Sequence, residues 1–167
     1  MTTALRILRS LSLAAWFGAL VFFVMVTIIA FRDLPDAHTA GIVVRGSLLA
    51  LHRLGLITGA VYLFLTVVLL MSQRDSHPAR VIEIALVVSM LALTAYSQFS
   101  IIPRMEADRL TLGGDVNQGA NNNPVAFKHF SRLHQLSEKL EGFVLIEAIL
   151  LVALAPLHGR EDFDRFA

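Results

Sequence analysis

Cysteine does not occur in the 167 residues of this chain. That absence excludes disulfides, thiolate metal sites, iron–sulfur clusters and cysteine nucleophiles together. Any metal or cofactor would have to be held by His, Met, Tyr or carboxylates. Charge is scarce as well: Asp, Glu, Lys and Arg make up 16% of the residues, against about 25% in an ordinary soluble domain. The formal net charge is only +1, too little for a long-range field that would gather nucleic acid or an acidic substrate. A P-loop, a nucleophile elbow, an H-E-x-x-H helix and a dinucleotide-binding glycine fingerprint are all missing. No catalytic residues follow from the sequence.

Apolar residues are what the chain has in excess, at 56% of the total with a mean hydropathy of +0.67. They lie in blocks. A hydrocarbon core about 30 Å thick needs roughly 20 apolar residues in a helix rising 1.5 Å per residue. Four stretches meet that length, at about 5–31, 40–71, 79–102 and 124–156. They predict an all-α integral membrane protein, one domain over 1–167, folded as a four-helix bundle with both termini on the same side. The first stretch follows Arg6 and Arg9 and has no small-residue cleavage site. It is also longer than the 7–15 residues of a signal-peptide core, so it reads as a retained span.

Turn chemistry sets the boundaries. Asp33-Leu34-Pro35-Asp36 ends the first helix, and Ser76-His77-Pro78 makes a short hairpin before the third. Pro103 is expected to stop the third helix. The stretch from Pro103 to Asn123, rich in Gly and Asn, reads as a mobile loop outside the lipid. Asn123-Pro124 then gives an N-cap followed by Pro at the first helical position.

Basic residues divide without a clear bias between the two faces. The terminal side carries Arg6, Arg9, Arg74, Arg80, Arg160 and Arg165. The other side carries Arg32, Arg45, Arg53, Arg104, Arg109, Lys128, Arg132 and Lys139. The positive-inside rule therefore does not decide, and the usual dominance of the first helix points to cytoplasmic termini. The expected location is the inner membrane of a bacterium.

Polar groups inside a span are costly and mark function. Counted back from Met71 and Pro156, His52 and His134 stand about 29 and 33 Å above the terminal side, level to within roughly 5 Å. Gln98, Ser100 and Thr27 reach a similar height. On a helical wheel His134, Glu138 and Glu141 share one face, a grouping suited either to proton transfer or to a solvated helix entrance. Gly55 and Gly59 on the His52 face have G-x-x-x-G spacing, which admits a close backbone, or a flat ligand.

Two imidazoles at one level on different helices could ligate a b-type haem, with Gly55 and Gly59 making room and Arg53, Arg104 or Arg132 meeting the propionates. Copper is a second possibility, through His52, His134 and Met105 or Met25. The same histidines also fit ordinary interfacial positions. Deeper down, Glu147 is level with Tyr62 and close to Ser89. We expect it to be neutral or hydrogen-bonded, with Tyr62 as its pair or Ser89 in that role.

Several runs carry a resemblance. They are Ala15-Trp16-Phe17-Gly18, Ala40-Gly41, Tyr96-Ser97-Gln98, Ile102-Pro103-Arg104-Met105 and, most specific, Phe130-x-x-x-His134-x-x-Ser137. Together they resemble a bacterial family of uncharacterised four-helix membrane proteins similar to eukaryotic transmembrane protein 205. Through the run Trp16 to Phe23 that family is distantly similar to copper-resistance D-like proteins and to HemJ-type protoporphyrinogen oxidases. The latter carry a His on helix one, which this chain lacks, so their haem ligands do not carry over. The resemblance implies the architecture and a leaning toward haem, metal or drug-resistance biology. Three functions are consistent with this reading. They are a haem- or metal-binding electron-transfer protein, a cofactor-free accessory subunit of a larger membrane complex or homo-oligomer, and a copper or drug resistance transporter.

Overall fold

The computed structural model describes residues 2–73 and 78–154. The expected hairpin at Ser76-His77, the basic residues Arg74, Arg160 and Arg165, and the chain from Ala155 onward lie outside these. Every regular element among the described residues is helical: α1 (Thr2–Asp33), α2 (Ala37–Gln73), α3 (Pro78–Tyr96), a π-helical turn (Ser97–Ile101), α4 (Ile102–Thr111), α5 (Val116–Gly119) and α6 (Pro124–Leu154).

Three helical stretches are long and apolar enough to cross a membrane: Thr3–Asp33, Ala37–Ser72 and Arg80–Thr111. Their outer faces are apolar, with Phe22, Ile57, Phe64 and Phe99 each about two-thirds exposed or more. Such a surface requires lipid around it. The fourth expected span, α6, is the right length, but its first eighteen residues carry Lys128, Arg132, Glu138, Lys139 and Glu141. It packs against α3, α4 and α1.

Helix α1 turns into α2 within three residues. The Leu34 N–H bonds the Ala30 carbonyl, and the Asp36 carboxylate accepts from the Thr39 N–H at 2.8 Å and its hydroxyl at 2.9 Å. That cap starts α2 and folds it back along α1, its most extensive neighbour. At the far end Asp115 caps α5, and the Asn123 side chain accepts from the Ala126 N–H at 3.1 Å, the expected cap of α6.

Pro103 does not end the third helix. A proline lacks an N–H and crowds the carbonyl four residues back, which disrupts an ordinary α-turn. Here a π-helical turn lies just upstream, with the Ile102 N–H reaching the Ser97 carbonyl five residues back. The widened turn relieves the crowding, and Pro103 falls in the first turn of α4, where its missing N–H costs nothing. The helix runs on to Thr111, so much of the expected loop is helical. The chain then reverses at Gly113 and Gly114, both with positive φ, a conformation that favours glycine.

The core is built around Trp16, Met90, Val87, Val144, Ala148 and Leu151. In lipid there is little hydrophobic gain from bringing helices together, so close packing has to hold them. The Gly55/Gly59 face supplies it. A Cβ on Gly55 would lie 2.4 Å from Trp16 Nε1, and one on Gly59 2.3 Å from Trp16 Cζ3. The glycine face is therefore a seat for an indole.

Candidate functional site

His52 is the centre of the main polar site. It lies midway along α2 and is 1% exposed, and both its ring nitrogens are bonded. Nδ1 faces Gln98 Oε1 at 3.1 Å, and Nε2 faces Glu141 Oε1 at 2.5 Å. The amide oxygen can only accept, so Nδ1 carries a hydrogen and donates. One further proton is then shared across the short Nε2–Oε1 contact, whether written as acid and imidazole or as carboxylate and imidazolium. Either form leaves the pair neutral overall, which is what burial demands. Gln98 reaches His52 from the π-helical turn, a device often found at functional sites.

Beside this pair, α1 and α6 part to leave a groove of 280 Å³, with Glu141 in its wall. The Glu141 side chain is 15% exposed. The buried imidazole is thus one bond away from a group that meets the outside.

A second polar cluster lies toward the start of α1. The Arg9 guanidinium donates to Glu83 Oε1 at 3.1 Å, the Tyr62 hydroxyl donates to the same oxygen, and Arg9 sits 5.6 Å from the Tyr62 ring centroid. Glu83 and Tyr62 are buried. Between the clusters, Ser89 donates to Glu147 Oε1 at 2.6 Å, while Glu147 Oε2 is buried with no hydrogen-bond partner.

The expected pair of Glu147 and Tyr62 is therefore not formed. Ser89 serves Glu147, and Tyr62 serves Glu83, a residue the sequence reading did not single out. Its signal was available: a carboxylate five residues into α3, with an arginine near the start of α1 to meet it.

His134 is not brought to His52. Seven residues separate it from Glu141, or about 10 Å along α6. Its side chain is 51% exposed, 3.3 Å from Glu138 Oε1 and stacked on Phe130 at 6.0 Å. The equal-height argument assumed that α2 and α6 share a base plane, and the His52–Glu141 contact shows that they are offset. Arg53, Arg104 and Arg132 are exposed and Met105 is half-buried.

As the side chains stand, the set does not fit a haem held by His52 and His134. Both nitrogens of His52 are engaged, and Trp16 occupies the glycine face where the ring would lie. Among the described residues no group of three or more His, Asp or Glu is placed to hold a metal ion.

Long apolar helices around a buried histidine–carboxylate pair define an all-helical protein with membrane-capable helices and a polar interior site. The chain belongs to the family described as a domain of unknown function, DUF4149, whose model matches residues 11–109. The match takes in Trp16, His52, Tyr62, Glu83 and Gln98 and ends before α6. No curated protein and no solved structure matches the chain.

Proposed function

We propose that the protein is a four-helix membrane bundle whose working element is the His52–Glu141 pair, a proton-binding site at membrane depth. The observation that carries this is the 2.5 Å contact between a 1%-exposed imidazole and a carboxylate that lines a groove. Intramembrane ionisable groups are expensive to keep and mark functional sites by default. Helix α6 is taken as the fourth span. Its 31 residues reach about 46 Å at 1.5 Å each, and two of its charges are engaged, Glu141 with His52 and Glu138 with His134. Both termini then lie on one side, taken as the cytoplasmic face of a bacterial inner membrane. On this reading the protein stands with the relatives of transmembrane protein 205 and binds a small partner instead of catalysing a reaction.

The test follows the imidazoles of the purified protein by NMR with isotope-labelled histidine as pH is varied. We expect one imidazole, absent in His52→Gln, to change its titration in Glu141→Gln. If Glu141→Gln leaves all six imidazoles titrating as before, the pair is not a proton-binding unit and the proposal fails.

A further inference from the structure

Acid and base are unequally matched toward the end of the molecule where α1 turns into α2. Among the described residues there, every carboxylate has a partner. Asp33 bonds Arg32, Asp36 caps α2, Glu106 meets Arg45 and Arg109, Asp108 meets His129, and Asp115 caps α5. Glu138 and Glu141 hold their histidines. The basic residues left over are Arg53, Arg104, Lys128, Arg132 and Lys139, all exposed and none with an acidic partner among the described residues. At 100° per residue, Lys128, Arg132 and Lys139 fall within about 40° of one another and span about 16 Å of α6. The buried line of that helix, Ser137, Val144, Ala148 and Leu151, is on its opposite side, so the three cations point away from the bundle. Farther along, the same outward line carries Phe143, Ile146 and Leu150, each about half exposed or more. One line of α6 is thus first cationic and then apolar.

The His52–Glu141 contact puts α2 and α6 on a common scale. Arg132 stands nine residues before Glu141 and Ile42 ten before His52, about 14 and 15 Å from that contact. Ile42 is 57% exposed, so α2 still offers apolar surface at the level where α6 offers a guanidinium. Water suits the second and not the first, whereas headgroups resting on acyl chains meet both. We propose that the outward line of α6 binds acidic phospholipids, their phosphates along Lys128, Arg132 and Lys139 and their chains along Phe143, Ile146 and Leu150. The inference takes α6 as the fourth span, as in the reading above, and does not depend on the proton shared by His52 and Glu141. A zwitterionic lipid brings its own cation and leaves the surplus charge unmatched, while an acidic one neutralises it. Each basic residue near an anionic membrane surface adds to the attraction, and salt weakens it.

The test is native mass spectrometry of the detergent-purified protein with dioleoylphosphatidylglycerol and dioleoylphosphatidylcholine added in equal amounts. Wild type should retain phosphatidylglycerol in preference, and less of it as salt is raised. The triple change Lys128→Gln, Arg132→Gln and Lys139→Gln should weaken that retention about tenfold or more. Arg32→Gln, which removes a cation already met by Asp33, should leave it unchanged. Equal retention of the two lipids would mean an ordinary acyl annulus and overturn the proposal. So would a preference that survives the triple change, or equally tight binding of soluble glycerol phosphate. Tighter binding of a polyglutamate peptide would mark a face for an acidic protein and overturn it as well. Because the chain has no cysteine, Ile146→Cys reports where α6 lies. In phosphatidylglycerol nanodiscs it should resist a water-soluble maleimide that labels Gln135→Cys. Labelling of Ile146→Cys would put α6 outside the lipid, and the fourth span and the lipid site would fall together. Protection there without a lipid preference would remove the lipid site alone.

Discussion

Two sites along α2 solve the same problem differently. Near Tyr62, the buried Glu83 carboxylate is met by the Arg9 guanidinium and a phenol, donors that keep their hydrogens across the physiological range. About 15 Å along the same helix, Glu141 is met by an imidazole, a group that can both donate and accept. The second cluster borders a groove. A carboxylate locked by arginine is a fixed joint between α1, α2 and α3. A carboxylate held by histidine joins α6 to α2 through one short contact.

This contrast can be broken most severely at the fixed joint. Glu83→Ala strands Arg9 and Tyr62 in the interior, and removing one partner of a buried pair costs about 3 kcal/mol or more. A large drop in the thermal midpoint of the purified protein is the expected result. The triple change Arg9→Met, Tyr62→Phe and Glu83→Leu should recover most of that loss, because matched apolar residues replace buried ion pairs at little cost.

Next in size is Gly59→Ala, which drives a methyl into the Trp16 ring. Even after the gain in helix propensity, overpacking should leave a net loss of about 1–2 kcal/mol. The emission of Trp16, the sole tryptophan, should shift as the indole is displaced. An unchanged spectrum with unchanged stability would mean that the seat is looser than described.

His52→Gln should cost less, about 1 kcal/mol, since an amide can still bond Gln98 and Glu141. The thermal midpoint of the purified variant, measured against wild type, checks this.

The smallest effect concerns Asp36, where the Thr39 N–H and then the Thr39 hydroxyl hold the exposed carboxyl below the usual carboxylate range. A lowered folded-state value means that its contribution is present above the ordinary carboxylate range and is lost as pH falls through the lowered value. The thermal midpoints of Asp36→Ala and wild type should therefore differ at neutral pH and converge in acid.

How much of this was legible in the chain varies with the physics involved. The cores of the first two helices follow from apolar length alone, and the short turn and Asn123 cap follow from Asp, Pro and Asn chemistry. The glycine spacing marked a close approach, but not that an indole one helix away would fill it. The third helix was misread because a proline is a stop only for a regular α-helix. The contacts of the polar groups were only partly legible. His52, Gln98 and Glu141 were each noticed, yet His52 was matched to His134 because heights were counted from a common plane. An offset between packed helices is a tertiary property, and nothing in either segment alone encodes it.

The π-helical turn at Ser97–Ile101 also acts as a phase shifter. One extra residue advances everything beyond it by about 100° around the axis, so the two halves of a nearly continuous helix point their side chains by different rules. Upstream, Ser89 is aimed at Glu147. Downstream, Glu106 is aimed at Arg45 and Arg109, at 2.9 and 2.7 Å. Deleting a single residue inside the turn would restore ordinary winding and swing the second half by about 100°. Glu106 would then be cut off from Arg45 on α2 while keeping Arg109 on its own helix, although every one of these side chains would still be present.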